Sequence, residues 1–283
     1  MTVKGLLFSL AISLPLLASD VERAVALYNR TEYQAAISIL KNSPEGQSAS
    51  AQEVAGKAWY QLGDFKKAVE AFERADRLQP GNSRLKNWLG RSWGRRAETS
   101  NPFMAPGYAS KARRYFEEAV KLNPRNHEAV NDLFSYYLEA PGFLGGGMDK
   151  AMALSEQIRT NDPAEYHFAL AQIAERRKQY DLAEGQLRKA IDLAPKQVGR
   201  IIDLARFLAR RGKLSDAEKA FQLAAKTDPK NRQVLYAQAE AYIESGRDPG
   251  KARQLLQEYI KGPLTPEDPS LEEARKLLER VSN

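Results

Sequence analysis

The sequence predicts an all-α protein, built as a solenoid of antiparallel helix pairs that stack one after another. Apolar residues recur at spacings of three and four along most of the chain, which is the periodicity of amphipathic helices. Runs of this kind end at Pro80, Pro124, Pro163, Pro195 and Pro229, at intervals of 44, 39, 32 and 34 residues. A single helix pair cannot bury its own apolar seam, so a chain that repeats the pair is expected to stack the copies.

The segment from Gly56 to Pro80 is the clearest unit. Gly63 interrupts its apolar positions, and Asp64 is predicted to cap the N-terminus of the second helix. A second copy runs from Ile201 to Pro229, and six positions of the two segments match in size when their closing prolines are aligned. The matched pairs are Gly56 with Ala205, Trp59 with Leu208, Gly63 with Gly212, Ala68 with Ala217, Phe72 with Phe221 and Ala75 with Ala224.

These positions resemble the tetratricopeptide repeat (TPR), a helix–turn–helix unit with a period of about 34 residues. A third unit fills the same pattern with Leu89, Gly90, Trp93, Ala112 and Phe116. The resemblance extends over nearly all of residues 20–263 and implies a right-handed superhelix of about seven helix pairs. The expected pairs are 20–43, 49–80, 83–124, 127–163, 164–195, 198–229 and 232–263.

Residues 264–283 do not match a full repeat. Ser270 and Glu273 have the spacing of a capping box, and an apolar stripe follows them. We therefore expect a final amphipathic helix that covers the exposed seam of the last repeat, as the end of a solenoid requires.

The first 19 residues have the features of a secretory signal peptide. Lys4 precedes an uncharged run over 5–17, and small residues follow at Ala18 and Ser19. The run is shorter than the roughly 20 residues that a membrane-spanning helix needs. We expect export to the periplasm or the medium, with no transmembrane segment in the mature chain. The alternative is an uncleaved run that anchors the chain in the membrane.

The composition restricts the chemistry of the chain. There is no cysteine and there are only two histidines, which excludes disulfides, thiol catalysis and thiolate metal sites. Ser83 and Lys86 have the spacing of a serine–lysine pair, but they open a predicted helix. The loop at 141–147 lacks the lysine and the Ser or Thr of a phosphate-binding loop. We expect no catalytic activity, no cofactor, no metal and no small-molecule substrate.

The resemblance implies a concave groove, lined by the first helix of each unit, that binds a protein or peptide. The arginines of the third unit suit carboxylates, and its asparagine suits a peptide backbone. Alternatively, these arginines pair with Asp132 and Glu139 of the next unit. The predicted groove residues are Lys57, Arg84, Asn87, Trp88, Arg91, Arg95, Asn131, Ser135, Arg206 and Arg210.

Two units exceed the repeat length, and their insertions are predicted at 99–108 and 141–147, between the two helices of each unit. Both insertions are rich in Pro and Gly, and they are expected to be neighbours on one edge, where insertions can mark a binding face. Alternatively, the two loops pack on each other. Their large apolar residues are Phe103, Met104, Tyr108, Phe143 and Leu144.

These features together predict a non-enzymatic exported scaffold or adaptor with a protein or peptide partner. A second hypothesis is a binder of an anionic polymer, either nucleic acid or polysaccharide, through arginine-rich helix faces. The arginine runs are scattered and lack an aromatic stacking platform, so nucleic acid is not the expected partner.

Overall fold

The computed structural model describes residues 18–281, and within them the chain forms fifteen α-helices and no strand. The prediction of an all-α helical solenoid is confirmed. The predicted signal peptide falls almost entirely on residues 1–17, outside the described part of the chain. The helices are α1 (Asp20–Asn29), α2 (Tyr33–Asn42), α3 (Ala49–Gln61), α4 (Phe65–Leu78), α5 (Ser83–Glu98), α6 (Ala105–Leu122), α7 (His127–Glu139), α8 (Met148–Arg159), α9 (Pro163–Arg176), α10 (Tyr180–Leu193), α11 (Val198–Arg210), α12 (Leu214–Thr227), α13 (Gln233–Glu244), α14 (Pro249–Lys261) and α15 (Leu271–Arg280).

The turn inside each unit follows from local backbone chemistry. Gly63 and Gly212 have φ of 76° and 72°, a left-handed conformation that glycine adopts without steric cost. The equivalent turn of the fifth unit places Lys178 at φ 61°, where a side chain is tolerated at some cost. The second helix then begins at a cap, and the predicted Asp64 cap is confirmed, since its carboxylate accepts the Lys67 N–H at 3.1 Å.

Close packing of the two helices of a unit depends on a small residue opposite a phenylalanine. The ring of the fully buried Phe72 lies so close to Gly56 that an added Cβ would be 2.8 Å from it. In the next unit, Gly90 faces Phe116 in the same way. The repeated pattern of small and large residues is therefore a pattern of contacts between α3 and α4 and between α5 and α6.

The first insertion is shorter than predicted. Residues 99–104 form the loop, and α6 begins at Ala105 because the last predicted loop residues extend the helix at its N-terminus. Pro106 is compatible with this first turn, where its missing N–H has no helical partner. Tyr108 was predicted to lie in the loop, and this is wrong, because it is helical and packs on Trp93 with 5.1 Å between ring centroids.

The array ends on α15, which packs against α14. The Ser270 side chain accepts the Glu273 N–H, and Glu273 accepts the Ser270 N–H in return, so the predicted capping box is confirmed. Ala274 is fully buried in a cluster with Tyr236 and Tyr259. Within residues 18–281, no helix combines the length and the apolar character that crossing a membrane demands.

Candidate functional site

The concave face is formed by the first helices of the units, α3, α5, α7, α9, α11 and α13. Ion pairs join neighbouring members of this set across the repeat boundary. These pairs, here called the concave ion pairs, are Arg84–Glu53 (3.1 Å), Arg91–Asp132, Arg91–Glu128 (3.2 Å), Arg200–Glu165, Arg206–Glu240 (2.9 Å) and Arg210–Glu175 (2.9 Å). The predicted groove arginines of units three and six therefore hold carboxylates of neighbouring units, except for Arg95, which pairs with Glu98 of its own helix at 2.5 Å.

Asp132 is the centre of a half-buried group of these contacts. Its carboxylate accepts a hydrogen bond from Arg91 and another from the Asn87 amide, the latter at 2.8 Å. Burial opposes the charge on Arg91, but the Asp132 carboxylate outweighs it and raises the pKa of the guanidinium. Asn87 is only 1% exposed, so its predicted place on the open groove surface is wrong. The alternative pairing with Asp132 is correct for Arg91, whereas Glu139 forms no ion pair among the described residues.

Trp88 contributes to packing between units more than to an open surface. It stacks on Phe72 with 5.6 Å between centroids and an interplanar angle of 14°. Lys57 and Arg91 lie over its ring at 5.6 and 5.0 Å, and Lys57 also pairs with Glu53 at 2.7 Å. Cations held on both an aromatic ring and a carboxylate are restrained in position.

Asn131 and Ser135 differ from the other predicted groove residues. They are four residues apart on α7, so their side chains lie on the same face of the helix. Both side chains are half-buried, and neither forms a hydrogen bond within residues 18–281. Between α7 and α9, moreover, no ion pair crosses the described concave face, in contrast to the pairs on either side. This part of the groove keeps its hydrogen-bonding groups available.

The concave face continues into the last two units as a shallow pocket of about 350 Å³, lined by Arg206, Arg210, Glu240 and Glu244. Asp203 lies on the same helix as the two arginines. Its burial raises the pKa of its carboxyl group, although Arg200, Arg206 and Arg210 all act in the opposite direction. The charge of this face is therefore balanced internally, which leaves no large excess of either sign.

A C-terminal strap, Gly262–Pro269, joins the end of the array to its beginning. Gln61 of α3 donates from Nε2 to the Pro266 carbonyl at 2.8 Å, across 205 residues of sequence. Gln233 donates to the Glu267 carbonyl at 3.0 Å, and the Tyr259 hydroxyl donates to the Pro269 carbonyl at 2.5 Å. Sequence reasoning missed this strap, because the curvature of the whole superhelix decides whether its two ends meet.

The two inserted loops expose their aromatic tips. Phe103 is 95% exposed and Phe143 is 83% exposed, so the alternative in which the loops cover each other is wrong for these two rings. Leu144 is half-buried, and its carbonyl accepts the Tyr136 hydroxyl at 2.9 Å. The units that carry the loops are adjacent, since Arg113 of α6 lies directly against Gly145.

Neither histidine belongs to a cluster of metal ligands. His167 Nδ1 lies 2.6 Å from the Gln186 side-chain oxygen, and His127 is exposed at the start of α7. In the part of the chain that the structure describes, no group of three His, Cys, Asp or Glu side chains is arranged to hold a metal ion.

Comparison with known proteins agrees with this architecture. Three family models described as tetratricopeptide repeat match the chain, one at residues 18–83 and 149–198, one at 174–241 and one at 233–261. No curated protein matches the sequence.

Solved structures show the same fold at low sequence identity. A thermophilic TPR protein from Thermus thermophilus is 22% identical, with a TM-score of 0.54, and the match covers 67% of this chain and 97% of that one. A TPR protein from Parabacteroides merdae is 14% identical, with a TM-score of 0.58 and coverage of 93% and 98%. TPR arrays are in general scaffolds for interactions with other proteins. The repeat matches and the helix-pair solenoid together show that this chain belongs to the tetratricopeptide repeat family.

Proposed function

We propose that the chain is a non-enzymatic exported adaptor, which binds an extended segment of a protein partner in the concave groove at α7. The observation that carries this proposal is the pair Asn131 and Ser135. Their hydrogen-bonding groups have no partner among the described residues, whereas the predicted arginines on either side hold carboxylates. An asparagine amide and a serine hydroxyl each donate and accept hydrogen bonds, as the backbone of an extended peptide requires.

The neighbouring arginines add a preference for acidic partners. The side chains of Arg84 and Arg95 are 61% and 46% exposed although both form ion pairs. A guanidinium has five N–H donors, so a single carboxylate leaves some of them available to a second acceptor. A partner with acidic side chains next to the segment that lies on α7 would use these donors.

Site-specific photo-crosslinking tests the groove. A photoreactive amino acid at Ser135 is expected to capture a defined partner, whereas the same group at Leu223, on the outer helix α12, is not. Replacing Asn131 with Ala is expected to reduce the capture from a nearby groove position, Glu139. Capture of the same proteins from Ser135 and from Leu223, or capture that Asn131→Ala leaves unchanged, would contradict the proposal.

The export of the adaptor rests on residues 1–19, namely the single Lys4, the uncharged run after it and the small residues at Ala18 and Ser19. Fractionation with N-terminal sequencing tests it. A processed chain in the periplasm or medium supports export, and an unprocessed chain in the membrane fraction supports the anchored alternative. An intact chain in the cytoplasm would rule out both.

A further inference from the structure

The turns between the two helices of units three to six form one continuous edge. We call it the basic turn edge, and it comprises residues 99–104, 140–147, 177–179 and 211–213 with the helix ends beside them. Arg113 of the third unit lies against Gly145 of the fourth. Arg177 of the fifth unit reaches the Met152 sulfur of the fourth at 3.0 Å. Lys213 of the sixth unit pairs with Glu184 of the fifth at 2.6 Å. Each of these contacts joins a turn to the second helix of the preceding unit, so the turns follow one another along the edge.

Two aromatic tips project from this edge. Phe103 and Phe143 are 95% and 83% exposed, and Met104, beside the first, is 47% exposed. The first loop is fixed from within, because the Asn101 side-chain oxygen accepts the N–H groups of Phe103 and Met104, each at 3.1 Å. The ring of Phe103 is therefore held outward by an ordered turn. The two tips lie on separate loops of neighbouring units.

Cations without a carboxylate partner surround the tips. Lys150 donates to the Gly145 carbonyl at 2.8 Å, and Arg96 and Lys111 lie over the Trp93 ring at 4.5 and 4.0 Å. In the described chain, none of these three forms an ion pair, and neither do Arg177 and Lys178 farther along the edge. Three exposed carboxylates, those of Glu139, Asp149 and Asp181, also lie near it, so the cations outnumber the unpaired acids.

We propose that the basic turn edge binds the surface of an anionic lipid bilayer. Phe103, Met104 and Phe143 enter the boundary between headgroups and acyl chains, and the unpaired lysines and arginines contact lipid phosphates. Isolated apolar tips among cations fit a fluid interface, which adapts to separate points of insertion. A soluble polyanion would satisfy the cations but leave both aromatic rings in water. The concave groove lies on a different face and stays open to its partner.

Co-sedimentation of the purified full chain with lipid vesicles tests this proposal. Vesicles of phosphatidylcholine with phosphatidylglycerol are expected to bind the chain about tenfold more tightly than vesicles of phosphatidylcholine alone, and added salt is expected to weaken that binding. Replacing both tips, in Phe103→Ser/Phe143→Ser, is expected to weaken binding about tenfold. The unaltered chain and the Phe103→Ser/Phe143→Ser variant share the apolar run at 5–17, so any vesicle binding through that run does not affect the difference between them.

The matched control is Leu193→Ser/Leu223→Ser, which removes two exposed apolar residues of the outer helices α10 and α12 and is expected to leave binding unchanged. Because both tips are exposed, the Phe103→Ser/Phe143→Ser chain is expected to keep its circular dichroism spectrum. Equal vesicle binding by the Phe variant and the unaltered chain would overturn the proposal. Binding to heparin without binding to anionic vesicles would also overturn it and assign the edge to a soluble polyanion.

Discussion

The concave face and the basic turn edge are both rich in arginine, but most of the concave arginines form ion pairs between units, whereas several on the turn edge form none. On the concave face, Arg200 and Arg210 each contact a carboxylate that lies 35 residues earlier, one repeat away. On the turn edge, Arg96 and Arg177 have no carboxylate partner in the described chain. An arginine that forms an ion pair across a repeat boundary contributes to the stacking of the repeats. An arginine without an ion pair is available to a partner outside the chain.

Whether an arginine finds a carboxylate partner depends on the element that holds it. The first helices lie side by side, and equivalent positions on them stay within reach of each other from one unit to the next. A cation and an acid at such positions therefore meet regardless of any ligand. Side chains on the turns meet fewer acids of a neighbouring unit, Lys213 with Glu184 being one such pair. A pair between exposed side chains gains only about 0.2–1 kcal/mol and loses conformational freedom.

The largest expected effect on stability comes from Asp132→Ala, which removes an acid of the concave ion pairs. The change removes the acceptor of both Arg91 and the buried Asn87, and we expect it to lower the free energy of unfolding by about 3 kcal/mol. Arg176→Ala on the turn edge, where the side chain is exposed and unpaired, is expected to change it by less than about 0.5 kcal/mol. Urea denaturation followed by circular dichroism measures both, and equal effects would remove the distinction between the two surfaces.

The second-largest effect on stability is expected from Gly90→Ala, in the packing between the two helices of the third unit. An added Cβ would lie 2.4 Å from the Phe116 ring, so α5 and α6 must separate, and we expect a loss of about 2 kcal/mol. Gly94→Ala on the same helix is the matched control. Its Cβ would meet only Ala112, at 4.0 Å, and we expect a gain of up to about 1 kcal/mol from helix propensity. The same sign for both variants in urea denaturation would contradict the packing argument.

The sequence predicts those structural features that depend on local spacing. Gly90 opposite Phe116, the Asp64 cap and the Ser270 capping box all follow from residues a few positions or one helix apart. The burial of Asn87 could not be predicted, because it depends on the distance between α5 and α7. The spacing of 35 residues between opposite charges was a usable signal for two of the concave ion pairs, Arg200–Glu165 and Arg210–Glu175. The strap contact at Gln61 has no local signal, since the sum of small rotations over the whole array determines it.

A smaller effect on stability is expected from Gln61→Ala, which removes the hydrogen bond between α3 and the C-terminal strap. The hydrogen bond to Pro266 joins the last unit to the second, so its loss is expected to cost about 1 kcal/mol and to let the superhelix widen. Small-angle X-ray scattering should show an increased radius of gyration. Gln79→Ala, an exposed position at the end of α4, is the control that should leave the radius unchanged. An unchanged radius for Gln61→Ala would show that stacking alone sets the curvature.

The smallest expected effect on stability concerns Asp203, a concave acid whose charged form is disfavoured by burial. Burial raises the pKa of its carboxyl group, so the folded chain binds its proton more tightly than the unfolded chain does. The resulting stabilisation is present in acid and is lost as the pH rises through the folded-state pKa. Asp203→Asn avoids that loss, and we expect its melting temperature to exceed that of the unaltered chain by a few degrees at neutral pH and to converge with it in acid.

The control for this pH dependence is Asp216→Asn on the exposed side of α12. There Lys219, which donates a hydrogen bond to the carboxylate, lowers the pKa of Asp216. A lowered folded-state pKa gives stabilisation that is present at neutral pH and lost as the pH falls, so Asp216→Asn is expected to reduce the melting temperature at neutral pH. Melting curves across the acid-to-neutral range should thus show differences of opposite sign for the two variants. Parallel curves would mean that the arginines around Asp203 keep it charged, and that the concave face tolerates this acid as well as the exposed surface does.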